Sequence, residues 1–394
     1  MRQWILKGLL ALAGIVVALA LCEVGLRLLG IEYPDFYDYD PQLGSKLRPG
    51  IKGYWLKEGS GYVSINADGL RDREHSLKPP PHTLRIAVLG DSFAEAKQVD
   101  QDKTFWAVMG RDLQGCANLR GQNVEVINFG QSGFGTTQEL LALRHRVWKY
   151  SPQVVLLAFF TGNDVSDNSQ ALMQWDYSPY FSYQDGNLVL DDRSTREKWL
   201  EEEEKKTWGS KLYRWRLDTF RVDQVLHQAR KAIREWWSRK ELDSQARASR
   251  PGSEAGIAQA IYREPSNKVW EEAWRVTEGV LLMMRDEIAQ KGAKFFVVVL
   301  TNGTQVHPDP KFRNAFAKKN RVKDLFYPDR RVANFCTREG IPVLLLAPSF
   351  QEYATTHKVF VHGFKDSLGD GHWNQQGHRL AGQTIATWLC RQLQ

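Results

Sequence analysis

The sequence predicts an α/β fold, a three-layer α/β/α sandwich built on a five-stranded parallel sheet. Five apolar runs carry that expectation: 86–89, 124–129, 154–160, 295–300 and 343–348. Their apolar stretches are largely unbroken, which suits strands covered on both faces. Segments with helical spacing alternate with them, and that alternation is the pattern of parallel strands joined by right-handed crossovers. The first three runs end in loops holding polar residues beside glycines, around Ser92, Gly133 and Asn163. In an open parallel sheet, ligands bind outside the carboxyl ends of the strands.

Taken in order, the chain opens with Met1-Arg2-Gln3-Trp4-Ile5-Leu6-Lys7, then an apolar run from Gly8 to Cys22 closed by Glu23 and Arg27. Counted from Trp4, with Lys7 reaching back to the interface, the run approaches the ~20 residues of a membrane span. Leu, Ala and Val occupy every face, unlike a one-sided core helix. A small-x-small cleavage pattern is poor here, so residues 1–30 are expected to be a retained signal anchor rather than a cleaved signal peptide. Arg2 and Lys7 would keep the N-terminus cytoplasmic and send the body outward. The expected location is therefore a single-pass membrane protein with its main domain on the extracytoplasmic side.

Residues 31–82 are rich in Tyr, Gly, Pro and Asp and are expected to form a membrane-proximal hairpin and linker. Tyr62-Val63-Ser64-Ile65-Asn66 before Ala67-Asp68-Gly69 reads as strand and turn, and Lys78-Pro79-Pro80-Pro81 as a stiff spacer. The main domain is expected over 83–394. Helices are expected at 104–113, through Leu140 to Val147, at 270–290, at 331–339 and at 375–394. An insertion over about 165–266 interrupts the pattern and is expected to be a helical cap. It contains a hairpin at 180–190 turning at Asp185-Gly186, amphipathic stretches near 201–206 and 230–240, and a loose linker at 246–253. Trp199, Trp208, Trp215, Trp236 and Trp237 lie in or near those stretches.

With 394 residues, 42% of them hydrophobic and 25% charged, the chain can bury a large core. The net charge of +7 comes without a long Lys/Arg block, so no nucleic-acid partner is implied. Cys22, Cys116, Cys336 and Cys390 have no C-x-x-C spacing, which argues against a zinc or thioredoxin-type site. His357, His362, His372 and His378 lack the spacing of a ligand set, and no metal or other cofactor is expected.

The chemistry is expected at Gly90-Asp91-Ser92, where a strand runs into a tight turn that presents a hydroxyl at a helix start. Alone, such a serine is more often an N-cap. Gly369-Asp370-Gly371-His372-Trp373-Asn374 adds an imidazole and a carboxylate close together, with Asn374 able to cap the last helix. Asn163 as a cap, Gly133 as a turn residue and Trp373 as a packing residue are the ordinary readings of each taken singly. Together the segments offer a nucleophile, a base, an orienting acid and oxyanion donors.

These ordered blocks, Gly90-Asp91-Ser92, Gly133, Gly162-Asn163-Asp164 and Asp370 with His372, resemble those of the SGNH (GDSL-type) hydrolase superfamily over most of 84–394 apart from the insertion. The resemblance implies a flavodoxin-like fold. It also implies Ser92 as nucleophile, His372 as base, Asp370 as orienting acid, and an oxyanion hole from Ser92, Gly133 and Asn163. Many members space acid and base as Asp-x-x-His, whereas here one residue separates them. The implied activity is a serine esterase acting on an O-acyl group, expected to be O-acetyl, of an extracytoplasmic polysaccharide or glycan. A polysaccharide O-acetyltransferase with the same triad is the near alternative, and a non-catalytic glycan-binding or assembly protein the distant one. The partners expected are an acylated glycan or other small ester and the membrane. With a flavodoxin-like strand order, Cys116 and Cys390 fall near helix C-termini on one side of the sheet, and they are expected to pair.

Overall fold

The computed structural model describes residues 2–173, 177–246 and 259–393. Most of the expected linker at 246–253 lies outside them, as do the side chains of Arg2, Trp236 and Trp237. The described residues fall into two compact units. One draws on Met1–Phe36, Ile51–Tyr54 and Glu202–Pro251, the other on Tyr37–Gly50, Trp55–Glu201 and Gly252–Gln394. The insertion is thus divided: residues 202–251 go with the N-terminal helix, and the remainder stays with the sheet.

The second unit is built on five parallel strands, β1 (Thr83–Gly90), β2 (Asn123–Asn128), β3 (Val154–Phe159), β4 (Lys294–Val299) and β5 (Val343–Leu345). Their order across the sheet is β5-β4-β3-β1-β2. Alternation along each strand sorts the side chains into two layers. Ala87, Leu89, Val155, Leu157 and Val297 pack under the helices Lys268–Gln290 and Tyr327–Arg338. Ile86, Val88, Leu156, Phe296 and Val298 pack under Phe105–Leu113, Ala347–His357 and Gln375–Gln392. The chain leaves β1 toward β2 on one side and returns to β3 on the other, which opens a crevice at the carboxyl ends of β1 and β3. There Gly90 pairs with Ala158. A side chain on Gly90 would meet Ala94 Cβ at 2.8 Å, so the turn into Ser92 requires glycine.

Two boundaries differ from expectation at prolines that open helices. The last strand stops at Leu345, and Ala347-Pro348 opens the helix Ala347–His357. Tyr327–Arg338 likewise begins with Pro328 in its first turn. Proline's missing N–H and fixed φ suit that position. Cys116 and Cys390 form a disulfide with Cα atoms 5.8 Å apart. Cys336 is buried, and burial pushes its thiol up to about 12.

The segment before β1 is knitted into this unit. Val63, Ile65 and Leu70 are buried. Arg71, wholly out of water, donates to the carbonyls of Glu95 and Val99. The Asp72 carboxylate accepts the Asn128 N–H at 2.8 Å at the end of β2.

In the first unit, the helix Arg2–Leu28 is long and apolar enough to cross a membrane, and its candidate span, Gln3–Leu28, is unburied. Two helices of the insertion, Trp208–Thr219 and Arg221–Ala246, belong with it.

Candidate active site

Ser92 opens a single helical turn, Ser92–Glu95, whose first N–H groups are capped by the Asp91 carboxylate through the Phe93 N–H at 2.9 Å. Asp91 is wholly buried. Burial raises its carboxyl to about 6, against the opposing pull of the Phe93 N–H and the nearby His372.

His372 stands over Ser92. Its Nε2 lies 2.8 Å from Ser92 Oγ, and its ring packs 4.9 Å from that of Phe93. The group on its other nitrogen is Glu58, whose Oε2 lies 2.5 Å from His372 Nδ1. Glu58 Oε1 also accepts the His372 backbone N–H at 2.7 Å. One carboxylate therefore fixes both the ring and the peptide of the histidine, which sets Nδ1 as the protonated nitrogen and leaves Nε2 free to accept from the serine. Burial pushes the Glu58 carboxyl up, but hydrogen bonds and charge from His372 outweigh it, and the carboxyl is held below its ordinary value. The Gln98 side chain also helps to hold the Glu58 carboxyl down.

Asp370, expected as the orienting acid, does not fill that role. Its carboxylate folds back on its own turn and accepts the Gly371 N–H at 2.8 Å. The short spacing explains the change. Gly369 and Gly371 both have φ near +80° to +90° (88° and 79°), and the turn between them directs the Asp370 side chain into a local bond. A Cβ on Gly371 would lie 2.3 Å from Glu58 Oε1, so this glycine leaves the space that Glu58 occupies.

The other two expected contributors lie on the loops that follow β2 and β3. Gly133, with φ +83°, lies on the loop after β2. That loop is held by the Gln131 N–H on the Gly90 carbonyl at 3.0 Å and the Ser132 N–H on Glu95 Oε2 at 2.5 Å. Asn163 follows β3, and its side chain opposes the rise that burial imposes on the carboxyls of Asp91 and Asp167. Glu95 is itself gripped by the Tyr37 hydroxyl at 2.7 Å and by Lys97 at 3.2 Å. Lys97 also covers the Tyr37 and Trp55 rings.

The remaining histidines of this end are tied into the scaffold. His362 bonds the Gly371 carbonyl and Thr301 Oγ1, each at 2.7 Å, and burial lowers it to about 4. His378 accepts the Phe105 N–H at 3.2 Å, and burial holds it well below its ordinary value. Trp373 is a packing residue among Phe93, Phe105 and Phe350, its indole N–H on Thr301 at 2.7 Å.

Glu58, Glu95, Tyr37, Lys97 and Gln98 were not legible as site residues. Glu58 sits in Lys57-Glu58-Gly59-Ser60, which reads as an ordinary solvated turn. Glu95 carried a faint signal: it is a charge placed one helical turn after Ser92, next to Ala94 and beneath a buried strand end.

No protein-family model matches the sequence. No curated protein matches it. Solved structures similar to the chain include the acetyl xylan esterase AlAXEase, at 10% identity and TM-score 0.36, covering 77% of this chain and 98% of that one. A GDSL-like lipase from Bacteroides thetaiotaomicron VPI-5482 is 11% identical with TM-score 0.34, covering 80% of this chain and 92% of that one. The lipase/acylhydrolase from Enterococcus faecalis is 14% identical with TM-score 0.35, covering 79% and 97%.

Proposed function

We propose that this chain is a membrane-anchored SGNH-type serine esterase with the triad Ser92, His372 and Glu58. The observation that carries the reading is the unbroken relay of contacts, 2.8 Å from Ser92 Oγ to His372 Nε2 and 2.5 Å from His372 Nδ1 to Glu58. A serine serving only as an N-cap needs no such relay, and here the capping is done by Asp91.

Ser92 Oγ attacks the ester carbonyl carbon as His372 Nε2 takes the hydroxyl proton, giving a tetrahedral oxyanion. The Ser92 N–H, the Gly133 N–H and the Asn163 amide are its donors, and losing one such donor costs about 2.7–4 kcal/mol of transition-state stabilisation. Collapse breaks the ester C–O bond. The leaving alkoxide takes the proton from His372, and the acyl group stays on Ser92. Water then attacks the acyl-serine, His372 takes its proton, and the carboxylic acid leaves with Ser92 reprotonated. Glu58 stabilises the imidazolium formed in each half-reaction.

The substrate in this reading is an O-acetylated extracytoplasmic glycan. Lys7 and Arg2 ahead of the apolar helix support an outward-facing domain, and tethering to a membrane favours a surface polymer over a freely diffusing metabolite.

The test is turnover of p-nitrophenyl acetate and of acetylated polysaccharide by the full chain in detergent, beside Ser92→Ala and His372→Ala. Loss of both activities in both variants, with folding intact, is the expected result. Turnover that survives Ser92→Ala overturns the assignment. Release of acetate only onto an added sugar acceptor would make the enzyme a transferase.

A further inference from the structure

We propose that the helices Trp208–Thr219 and Arg221–Ala246 lie along the surface of the membrane that the N-terminal helix crosses, and bind anionic phospholipid there. The inference goes beyond the esterase reading and rests only on its membrane-anchoring part.

The first observation is where these helices attach. The Val222 N–H donates to Glu23 Oε2 at 3.0 Å, and Arg27 donates to the Thr219 carbonyl at 2.6 Å. Just beyond the helix, Arg221 pairs with Glu32 at 2.6 Å and the Tyr33 N–H meets Gln224 Oε1 at 2.8 Å. The junction between the two inserted helices is therefore bonded to the last turns of the apolar helix and to the residues that follow it. Glu23 and Arg27 are the charges that close the apolar run, so this is the level at which hydrocarbon gives way to headgroups.

The second observation is what the helices present at that level. Trp208, Leu212 and Trp215 stand at i, i+4 and i+7 on one face, and are 79%, 39% and 54% exposed. Leu226 and Ile233, seven apart on the second helix, are 47% and 56% exposed. Water is a poor solvent for such a stripe. Between 208 and 234 the chain carries seven lysines and arginines against two aspartates. Exposed Trp and Leu on one face with an excess of cations is the composition of an interfacial helix, and the cations favour anionic headgroups. The bilayer is the occupant that the apolar helix itself brings within reach.

The test uses the full chain with Cys22→Ser, which removes the exposed free thiol, and with single cysteines placed by Leu212→Cys or Ile233→Cys. Leu10→Cys reports the spanning helix and Phe312→Cys reports a water-facing site. Each is spin-labelled and reconstituted singly into phosphatidylcholine nanodiscs with or without phosphatidylglycerol. Accessibility to aqueous nickel chelate at 212 and 233 is expected to fall between the values at 10 and 312, and to fall further with phosphatidylglycerol. Lys211→Glu with Arg230→Glu is expected to abolish that lipid dependence. Labels at 212 and 233 as accessible as that at 312, with 10 protected, overturn the proposal while leaving the anchor standing. Protection that requires two copies per disc also overturns it, in favour of self-association. An accessible label at 10 overturns both.

Discussion

In the sheet-bearing unit Arg71, Arg85, Asp91 and Glu95 are withdrawn from water, while in the unit carrying the N-terminal helix Trp4, Leu10, Trp208 and Ile233 stand exposed to it. The two regions place charge and hydrocarbon in opposite ways. In the sheet-bearing unit two of these buried charges meet an opposite one, Arg85 with Glu125 at 2.7 Å and Glu95 with Lys97 at 3.2 Å, and the half-buried Glu58 meets His372 at 2.5 Å. Unmatched buried charge costs several kcal/mol per ion, so this unit is complete in water only as long as its pairs are. Among the described residues of the other unit, large apolar side chains stand in the open instead. Exposed hydrocarbon in one unit and buried charge in the other are what separate the two.

The sharpest way to test the contrast is to remove the carboxylate of the half-buried pair. Glu58→Gln is expected to lower kcat by about 10⁴-fold with KM little changed, the effect of losing a triad acid, whereas Asp370→Asn should leave kcat at the wild-type level. Steady-state kinetics on p-nitrophenyl acetate checks both, and the reverse ranking would return the acid to Asp370. The next largest effect is covalent. Cys116→Ser or Cys390→Ser is expected to cost about 2–5 kcal/mol of stability in denaturant unfolding of the sheet-bearing unit, and an unchanged midpoint would mean the crosslink constrains nothing that the core does not already hold.

The last effect appears only at one end of the pH scale and concerns Asp91, a wholly buried carboxyl next to the nucleophile. Asp91 titrates near 6 in the folded protein against an ordinary 3.8. A carboxyl raised by folding binds its proton more tightly when native, so it favours the fold below about 4 relative to its ionised state. That advantage is lost as pH rises toward 6, and the cost is constant above it. Asp91→Asn keeps the capping oxygen and removes the ionisation. It is expected to gain about 3 kcal/mol over wild type above pH 6 and nothing below pH 4. Thermal melts across that range decide it, and a gain independent of pH would mean the carboxyl does not titrate there.

How much of this was readable depends on whether the signal was local. The strands β1 to β4 were legible because each is an apolar run covered on two faces, and Ser92, Gly133 and Asn163 because each follows such a run. The long apolar N-terminal helix was legible from length and composition. Glu58 was not, because its role depends on a packing of segments far apart in sequence, and nothing in its own turn distinguishes it from a solvated glutamate. Asp370 misled for the same reason: proximity in sequence to His372 was taken as proximity in space, while the glycines on either side turn its carboxylate back on its own loop. The division of the insertion was hidden too, since Trp208 and Trp215 read as part of one helical cap and nothing in their own stretch sets 202–246 apart from the rest of it.

The reach of Glu58 has a consequence for how the molecule comes into being. The acid and the base stand 314 residues apart, and the base lies only 22 residues before the C-terminus, at His372 of 394. In the proposed triad the acid is made first and the base last, with the nucleophile between them. A chain cut anywhere between residues 58 and 372 separates groups that the proposed chemistry needs together, so each fragment is expected to be inert and activity would report that the two segments have met.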